Sequence, residues 1–533
     1  MQALRRTASV VLFPAIACLI SACERTGLPT EPQSTASAVP HSFDLNAAAT
    51  GTTRWVNDDD PNGPPYSLTG GKSCNDPGYP TVQSAVTASG PGDRINVCPG
   101  TYTEQITIPA GKDNLQLRAT KQWDAILKAP PLMFDVKAIV RVTTSQNVTI
   151  LAFTITGPGG TGCDALRYGV RVDGGGSANI LGNHITQIRD NPLSGCQNGV
   201  GVQVGRQVEG TTGSAQIIGN VIDNYQKNGM TVDNAGSSAE IAHNRVLGNG
   251  PIAFAAAQNG IQVSRGATAN VQHNFVAQNI YFTPATSATG ILLFQSANVT
   301  TAHNTVTSND NGIYDWMATG STTTNNHVRA SSYDGVTEDQ SSSAQVANNK
   351  TEHNVGAGIG MYTNAQNNVL DRNHASDNAG SGILLDQASS NIVSNNQVKD
   401  NGTDGGDVTD GIRVSAASTG NTISKNHLKD NVTHDCHDDS GVPLGPPANV
   451  WTDNRGETEN RPGLCDGEDD DAAFATTTAY GWDPSYPWST AFGEAADFDW
   501  VTAYSAIDTD ALLQVLPSIR VGVVHAATLS PAP

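Results

Sequence analysis

The stretch NGIQVSRGATANVQHNFVAQN, residues 259–279, shows the pattern on which most of the chain is built. A polar residue and Gly260 precede an alternating apolar segment, and the stretch closes on two asparagines, Asn274 and Asn279. The segment TGILLFQSANVTTAHNTVTSN, residues 289–309, follows the same plan. Apolar residues that alternate with polar ones over so few positions are typical of strands and too brief for helices. The pattern therefore predicts short strands separated by glycine and asparagine turns.

Asparagine recurs at a nearly regular spacing, typically with an aliphatic residue three positions before it. Such repeats, running in one direction, can bury their apolar faces only by coiling and stacking, which predicts a parallel β-solenoid. Asparagine suits the turns because it tolerates left-handed backbone and its amide can bond the same residue one coil away. The first set of these residues, separated by 37, 24, 30, 30, 22, 23, 24, 23 and 30 positions, is Asn183, Asn220, Asn244, Asn274, Asn304, Asn326, Asn349, Asn373, Asn396 and Asn426.

The composition predicts one long repetitive body rather than several unrelated domains, because 54 glycines and many Asn, Thr and Ser residues are spread along the 533-residue chain. The chain carries 29 Lys and Arg against 50 Asp and Glu, a formal charge of −21. Such a surface repels phosphates and anionic lipids at long range. Nucleic acid is therefore excluded as a partner.

The N-terminal segment MQALRRTASVVLFPAIACLISAC has the layout of an export signal: two arginines, an apolar run and small residues before Cys23. The residues before Cys23 resemble a bacterial lipobox. This predicts a signal peptide at 1–22, a lipid anchor on Cys23 that attaches the protein to a bacterial membrane, and a flexible tether at 23–53. An ordinary signal peptide cut nearby is the alternative. The expected location is the cell envelope, at the outer membrane or cell surface, or otherwise the secreted fraction.

The cysteines beyond Cys23 predict disulfides rather than a zinc site, because their number is even and none shows C-x-x-C spacing. Fifteen pairings are formally possible for six cysteines. Pairing of sequence neighbours is the simplest arrangement: Cys74 with Cys98, Cys163 with Cys196, and Cys436 with Cys465.

The recurring Gly-Ile-x-Val and Asn-x-Ile segments resemble the right-handed parallel β-helix repeats of the pectin-lyase-like superfamily, which includes NosD-like exported proteins. The resemblance spans residues 54–465 and implies an all-β, single-stranded right-handed parallel β-helix. That superfamily contains lyases, hydrolases, esterases, epimerases and non-enzymes, so the resemblance implies a fold and no particular reaction. The repeat stops at 466–533, which is expected to form an acidic loop and a capping tail over the last coil.

The segment at 80–108 resembles the usual start of such a domain. This resemblance implies a short helix before the first strands that covers the open end of the solenoid with one apolar face. The residues of that face are Val82, Ala85 and Val86.

One inward column of the post-glycine segments is interrupted by two carboxylates in neighbouring repeats. Stacked strands lie about 4.8 Å apart, so these two side chains are expected to be close. They point inward with a raised pKa, or a bulge turns them to the surface; a bulged polar stretch without a role is the third interpretation. The column reads Val202, Val232, Val263, Leu293, Asp315, Glu338, Met361, Leu385 and Val414.

Aromatic residues accompany these carboxylates on the outward positions, a combination that favours sugar binding. Two carboxylates on adjacent coils could supply the pair that glycosidases use. The sequence predicts a polysaccharide partner, with Asp315, Glu338 and Asp339 as candidate catalytic residues. The candidate substrate-binding residues are Phe294, Tyr314, Trp316, Tyr362, Asp386 and Arg413, with Arg413 assigned to carboxylate recognition. The C-terminal tail folded across the rings is the alternative occupant.

Metal ions are a secondary expectation. Ca²⁺ held by Asp339 and Asp386 would bridge the acidic face to a uronate polymer. Asp58, Asp60 and Asn62 are spaced like the first half of a Ca²⁺ loop, although no Glu follows at the twelfth position. The resemblance to NosD-like proteins adds copper as a possibility for a column of histidines: His243, His273 and His303.

The sequence thus predicts an exported β-helix that binds a polysaccharide along its post-glycine strands, with lyase, hydrolase or epimerase chemistry left open. A non-catalytic surface adhesin or structural stalk is the first alternative, and copper handling is the second. Which glycan is bound and the oligomeric state of the protein are not predicted.

Overall fold

The computed structural model forms a parallel β-helix, and it describes residues 51–58, 71–251, 256–281, 286–403, 408–441 and 448–467. The predicted signal peptide, the lipid anchor Cys23, nearly all of the tether and nearly all of the C-terminal tail lie outside these ranges. Within the ranges that the structure describes, no helix is long and apolar enough to cross a membrane.

From β4 to β42, each coil contributes one strand to each of three long parallel sheets, as the repeat predicted, and β1 and β43 extend the first sheet at its two ends. With strands numbered in chain order, the first sheet contains β1 Thr53–Val56, β4 Arg94–Val97, β7 Gln116–Ala119, β10 Val148–Leu151, β13 Ser177–Leu181, β16 Ser214–Ile218, β19 Ser238–Ala242, β22 Thr268–Gln272, β25 Thr300–Ala302, β28 Thr322–Thr324, β31 Gln345–Ala347, β34 Val369–Asp371, β37 Ile392–Ser394, β40 Thr422–Ser424 and β43 Val450–Thr452.

The other two long sheets are stacked in the same way. The second sheet contains β5 Gly100–Thr103, β8 Ala125–Lys128, β11 Thr154–Thr156, β14 His184–Thr186, β17 Val221–Asp223, β20 Arg245–Leu247, β23 Phe275–Ala277, β26 Thr305–Thr307, β29 His327–Arg329, β32 Lys350–Glu352, β35 His374–Ser376, β38 Gln397–Lys399 and β41 His427–Lys429. The third, called the post-glycine sheet, contains β6 Ile106–Ile108, β9 Ala138–Thr143, β12 Tyr168–Asp173, β15 Val200–Val204, β18 Asn228–Asp233, β21 Asn259–Ser264, β24 Thr289–Phe294, β27 Asn311–Trp316, β30 Val336–Asp339, β33 Ile359–Tyr362, β36 Ile383–Asp386, β39 Ile412–Val414 and β42 Cys436–Asp438.

The core is a continuous apolar column inside the coils, because alternate residues of each strand point inward. Ile291, Ile313 and Val336, which are register partners in the post-glycine sheet, are each fully buried. The remaining elements are small: the hairpin β2 Gly71–Ser73 and β3 Asp76–Pro77, the helix α1 Val82–Ala88, and the 3-10 turns Asp135–Lys137 and Gln207–Glu209.

The predicted asparagine ladder lies at the corner between the first and second sheets. Asn274 Oδ1 accepts hydrogen bonds from both the backbone N–H and the side-chain Nδ2 of Asn244, each at 3.0 Å, and Asn304 accepts from Asn274 in the same way. Two further ladders occupy the other corners. They include Asn279, Asn309, Asn354, Asn378, Asn401 and Asn431 before the post-glycine sheet, and Asn368, Asn391, Asn421 and Asn449 before the first sheet.

Helix α1 covers the N-terminal coil with its buried residues Val82, Ala85 and Val86, the face that the sequence predicted. Its first turn is closed by Glu104, whose carboxylate accepts the N–H groups of Val82 and Gln83 at 2.8 Å. Strand β1 precedes the helix, although the helix was expected before the first strands. A four-residue strand is too short to be recognised from alternation alone.

Three disulfides join the cysteine pairs that sequence order predicted. They are Cys74–Cys98, Cys163–Cys196 and Cys436–Cys465, with Cα atoms 5.7, 5.9 and 6.1 Å apart. Disulfides persist in oxidising compartments, so they indicate an extracellular or envelope protein.

Candidate functional site

The interrupted column lies inside the solenoid. Asp315 and Glu338 are register partners on β27 and β30, and both side chains are 0% exposed. Pairing continues unbroken on both sides, from Ile313 opposite Val336 to Trp316 opposite Asp339, so no bulge turns the carboxylates outward. A polymer on the outer surface therefore contacts neither of these two candidate catalytic residues.

The surroundings of this pair favour the protonated form. Burial raises the pKa of Asp315 to about 7, although the Ser321 hydroxyl donates to its Oδ2 at 2.5 Å. Burial, followed by the charge of Asp315, raises the pKa of Glu338 well above its usual range. Among the described residues, Asp315 Oδ1 and both Glu338 carboxyl oxygens have no partner at hydrogen-bond geometry. Because an unpaired charge is costly in such a place, the pair retains a proton at neutral pH.

The outer face of the same strands carries what we call the aromatic strip: Phe294, Tyr314, Trp316 and Tyr362 with Asp339 and Asp386. The Trp316 ring lies 4.9 Å from the Phe294 ring and 6.2 Å from the Tyr314 ring, measured between centroids. Trp316 remains 36% exposed. The structure thus brings these predicted binding residues together on five adjacent strands, β24 to β36.

Two tyrosines of the aromatic strip are held by carboxylates. The Tyr314 hydroxyl donates to Asp339 Oδ2 at 2.7 Å, and the Tyr362 hydroxyl donates to Asp334 Oδ2 at 2.8 Å. Burial raises the pKa of Asp334 to about 6 and also raises the pKa of both tyrosines. Asp334 was missed by sequence reasoning. The signal is its place directly before Gly335, one residue outside the post-glycine segment.

Arg413 lies apart from the rings, three strands beyond Asp339 on the same sheet. Its guanidinium already donates to two carboxylates, Asp410 Oδ2 and Asp439 Oδ2, each at 2.9 Å. A role in binding a substrate carboxylate would require it to leave one of these partners, so its predicted role gains no support from this geometry.

A second group of titratable side chains, which sequence reasoning missed, surrounds Arg413. We call it the His–Asp cluster: Asp410, His434, His437 and Asp439. His437 Nδ1 lies 3.0 Å and His434 Nδ1 3.2 Å from Asp410 Oδ1, and the two nitrogens are 3.3 Å apart. The signal is the run HDCHDD at 434–439, which follows the last glycine-led segment and has no glycine before it, so it does not match the glycine-led pattern.

Charge pairing shifts the pKa values within this cluster. Burial alone would lower the pKa of His437, but its bonds to Asp410 and Asp439 raise it above the usual value. Burial alone would raise the pKa of Asp410, but His437 and Arg413 lower it. The cluster is thus a compact group of mutually paired titratable side chains beside strands β39 and β42.

The remaining predicted metal ligands are separate from these sites. Asp58 is exposed near the N-terminal coil, while Asp60 and Asn62 lie outside the described residues. The rings of His243, His273 and His303 stack face to face at 5.0 Å intervals, as a column of equivalent positions requires. Burial, with the adjacent His273, lowers the pKa of His243 to about 3, so this ring is neutral at physiological pH.

Comparisons with known proteins agree with the architecture. A family model described as periplasmic copper-binding protein (NosD) matches residues 251–461, and one described as right handed beta helix region matches residues 138–328. No curated protein sequence is detectably similar to the chain.

Three solved structures illustrate the similarity of shape. A double mutant of the periplasmic alginate epimerase AlgG is 14% identical, over 62% of this chain and 77% of that chain, with a TM-score of 0.42. Dettilon tailspike protein is 13% identical, over 64% and 63%, with a TM-score of 0.44. DFA-IIIase from Arthrobacter chlorophenolicus, in complex with DFA-III, is 14% identical, over 75% and 98%, with a TM-score of 0.40. At this level of identity the similarity concerns the fold alone.

Proposed function

Because this chain is a right-handed parallel β-helix repeat protein, we propose that it binds a polysaccharide along the outer face of its post-glycine sheet. The observation that carries the proposal is the exposed Trp316 ring, packed against Phe294 and Tyr314 and paired in register with Asp339. A contiguous group of rings at the surface, bordered by polar residues, is typical of a binding site, whereas a single exposed ring is not.

The chemistry of the aromatic strip suits a sugar. Aromatic faces pack on the apolar C–H face of a sugar ring, while carboxylates accept hydrogen bonds from its hydroxyls. Parallel strands place these groups at a regular spacing of about 4.8 Å, which matches a repetitive, extended ligand better than a compact one.

Catalysis on this surface would rest on Asp339. Of the three candidate catalytic residues, Asp315 and Glu338 are sealed in the interior, whereas Asp339 is partly exposed beside Trp316. Asp334, whose pKa burial raises to about 6, accepts the Tyr362 hydroxyl and is a missed carboxyl that could exchange a proton near neutral pH. Binding is the primary function proposed, and cleavage or epimerisation remains a secondary one.

Binding is tested with a panel of neutral and acidic polysaccharides and the full chain. We expect Trp316→Ala to weaken binding about tenfold or more, because the largest exposed ring of the aromatic strip is removed. Phe134→Ala is the matched control: Phe134 is 72% exposed and lies beside strand β9, six strands from β27 on the same sheet. Equal loss in both variants, or no binding to any member of the panel, would contradict the proposal.

Calcium dependence distinguishes the kind of polymer. The net charge of −21 repels a uronate polymer, so its binding is expected to require Ca²⁺ between the polymer and Asp339 or Asp386. Binding of a neutral glycan is expected to survive chelation. Release of unsaturated uronates or reducing ends, assayed with Asp339→Asn beside the unmodified chain, tests the enzymatic alternative in the same samples.

Two further functions have specific support. The three asparagine ladders make a continuous hydrogen-bonded body, which suits a structural stalk or adhesin. The NosD model spans His273 and His303, so copper handling is the other candidate. Failure of the glycan panel would favour the stalk, whereas Cu(I) binding lost in His273→Ala would favour copper handling.

A further inference from the structure

Three ligand atoms of the His–Asp cluster converge on one point. Asp410 Oδ1, His434 Nδ1 and His437 Nδ1 are mutually separated by 3.0, 3.2 and 3.3 Å. Ligands of a tetrahedral Zn²⁺ ion with bonds of about 2.0–2.1 Å lie about 3.3 Å from one another. The spacing of the three atoms is therefore close to one triangular face of such a coordination shell.

The groups behind these atoms hold them in the orientation that a metal ion needs. Arg413 takes the other oxygen of Asp410, which leaves Oδ1 directed at the histidines. Asp439 Oδ1 lies 2.9 Å from His437 Nε2, so a proton on Nε2 is favoured and the Nδ1 lone pair faces the cluster. A carboxylate behind a histidine ligand is a recurring feature of metal sites, because it fixes the tautomer and the ring orientation.

The position of Asp410 in the fold is a second, independent reason. Asp334 and Asp435 also lie one or two residues before a post-glycine strand, and their carboxylates accept backbone N–H groups of the next coil. Asp410 instead meets two histidines and an arginine. At this coil, the corner position therefore holds a cluster of side chains, whereas in the other two coils the aspartate binds the backbone of the next coil.

From this geometry we propose that Asp410, His434 and His437 bind a divalent transition metal ion of intermediate softness, with Zn²⁺ as the best fit. Two imidazoles and one carboxylate suit Zn²⁺ better than Ca²⁺, which prefers oxygen ligands, or Cu(I), which prefers thiolates and thioethers. Three protein ligands leave a fourth position for water or a ligand oxygen.

The metal site lies on the same sheet as the aromatic strip, so a bound polymer could reach the fourth coordination position. His437 and Arg413 are register partners on β42 and β39, in the same outward column as Tyr314. Five strand spacings separate β27 from β42, which corresponds to about 24 Å along the sheet. A ligand lying along the aromatic strip would therefore run toward the metal site. The metal site itself does not depend on the polysaccharide proposal.

Metal binding is measured directly on the full chain after removal of metals with a chelator. Titration with zinc chloride against a chromophoric chelator is expected to show one equivalent bound per chain. Co²⁺ in place of Zn²⁺ is expected to give the visible absorption of a tetrahedral site. We expect the double variant His434→Ala, His437→Ala to weaken Zn²⁺ binding at least about 100-fold, and Asp439→Asn to weaken it about 10- to 100-fold.

His353→Ala is the matched control, because His353 is an exposed histidine outside the cluster and its loss is expected to leave the binding unchanged. Thermal unfolding in excess chelator verifies that each variant folds like the unmodified chain, and added Zn²⁺ is expected to stabilise only chains with an intact cluster. Less than one equivalent of Zn²⁺, equal binding by the double variant, or displacement of Zn²⁺ by millimolar Ca²⁺ would overturn the proposal. The cluster would then be an ion-paired network in which His437 is a protonated link between two aspartates.

Discussion

At the scale of single residues, Asp315 and Glu338 are two fully buried carboxylic acids on neighbouring strands of the post-glycine sheet. Period-two alternation placed Asp315 and Glu338 in an otherwise apolar column, and the unbroken register confirms the inward position. Alternation alone could not exclude a bulge, because one extra residue changes the facing of a side chain without changing the composition. The interpretation of these residues as a surface site was therefore open until the register was known.

Replacing the buried acids is expected to change how stability depends on pH. Because burial raises the folded-state pKa of Asp315 to about 7, the folded protein retains a proton that the unfolded chain releases near its ordinary value of about 4. The contribution of the pair to stability is therefore full below about pH 4 and is lost as the pH rises toward 7 and above. The double variant Asp315→Asn, Glu338→Gln removes this loss, on the order of a few kcal/mol at pH 8.

The measurement is the free energy of unfolding by urea at several values of pH. Met361→Leu is the control, because Met361 fills the same interior column next to Glu338 without adding or removing a charge. This control is expected to retain the slope of the unmodified protein. A double variant with the same slope as the unmodified chain would show that the pair does not hold a proton.

The residues that sequence reasoning missed were all missed for the same reason. Asp334 and Asp410 stand directly before a glycine. His434 precedes strand β42 and His437 lies within it, and this strand has no glycine before it. An alignment anchored on glycine omits all four positions. Their proximity is set by register between coils, which depends on connection lengths that periodicity does not report.

At the scale of elements, the asparagine turns were the most predictable feature, because asparagine offers both left-handed backbone and an amide. The structure adds a third ladder, at the corner before the first sheet, that the sequence pattern did not separate from ordinary turn asparagines. The helix α1 was also predicted, whereas strand β1 before it was too short to detect.

Asn349→Ala is expected to lower the stability of the protein markedly, although it removes no charge and no apolar core residue. Asn349 Oδ1 accepts from the backbone N–H and side-chain Nδ2 of Asn326, and its own Nδ2 donates to Asn373. Removing the amide leaves buried groups unpaired in both neighbouring coils, which costs about 1–3 kcal/mol for each. The free energy of unfolding measured with urea is expected to fall by about 2 kcal/mol or more.

Gln345→Ala in the same coil is the matched control, because this amide is exposed on a strand rather than stacked in a ladder. It is expected to change stability by less than about 0.5 kcal/mol. Similar losses in the two variants would show that the ladder adds nothing beyond an ordinary surface amide.

At the scale of the whole molecule, the repeat determined the fold class and the cysteine count agreed with an exported protein. Stability in such a solenoid is shared between neighbouring coils, so the ends need special protection. Helix α1 supplies it at the N-terminal coil, and Cys436–Cys465 fastens the last coil that the structure describes.

Loss of the Cys436–Cys465 bond, by replacing both residues with serine, is expected to open the last coil before the rest of the molecule. The constraint on the unfolded chain is worth about 3–4 kcal/mol for a loop of this size, and its loss acts locally in a linear array. Hydrogen exchange is expected to accelerate in β41 to β43 and to stay unchanged near β10. Removing Cys163–Cys196, which joins two connections outside the sheets, is the control and is expected to leave the last coil protected.

The coils differ in one corner far more than in another. The turn from the first to the second sheet is short and, from Asn183 onward, carries the stacked asparagines, whereas the connection into the post-glycine sheet ranges from 308–310 to 187–199. The distance between coils is therefore set by the strands and asparagine turns, whereas the loop length is set by the connections into the post-glycine sheet. We therefore expect such an architecture to tolerate replacement of these loops without a change in the distance between successive coils. Foreign loops grafted at that corner would be displayed in single file, one per coil, at intervals fixed by the backbone.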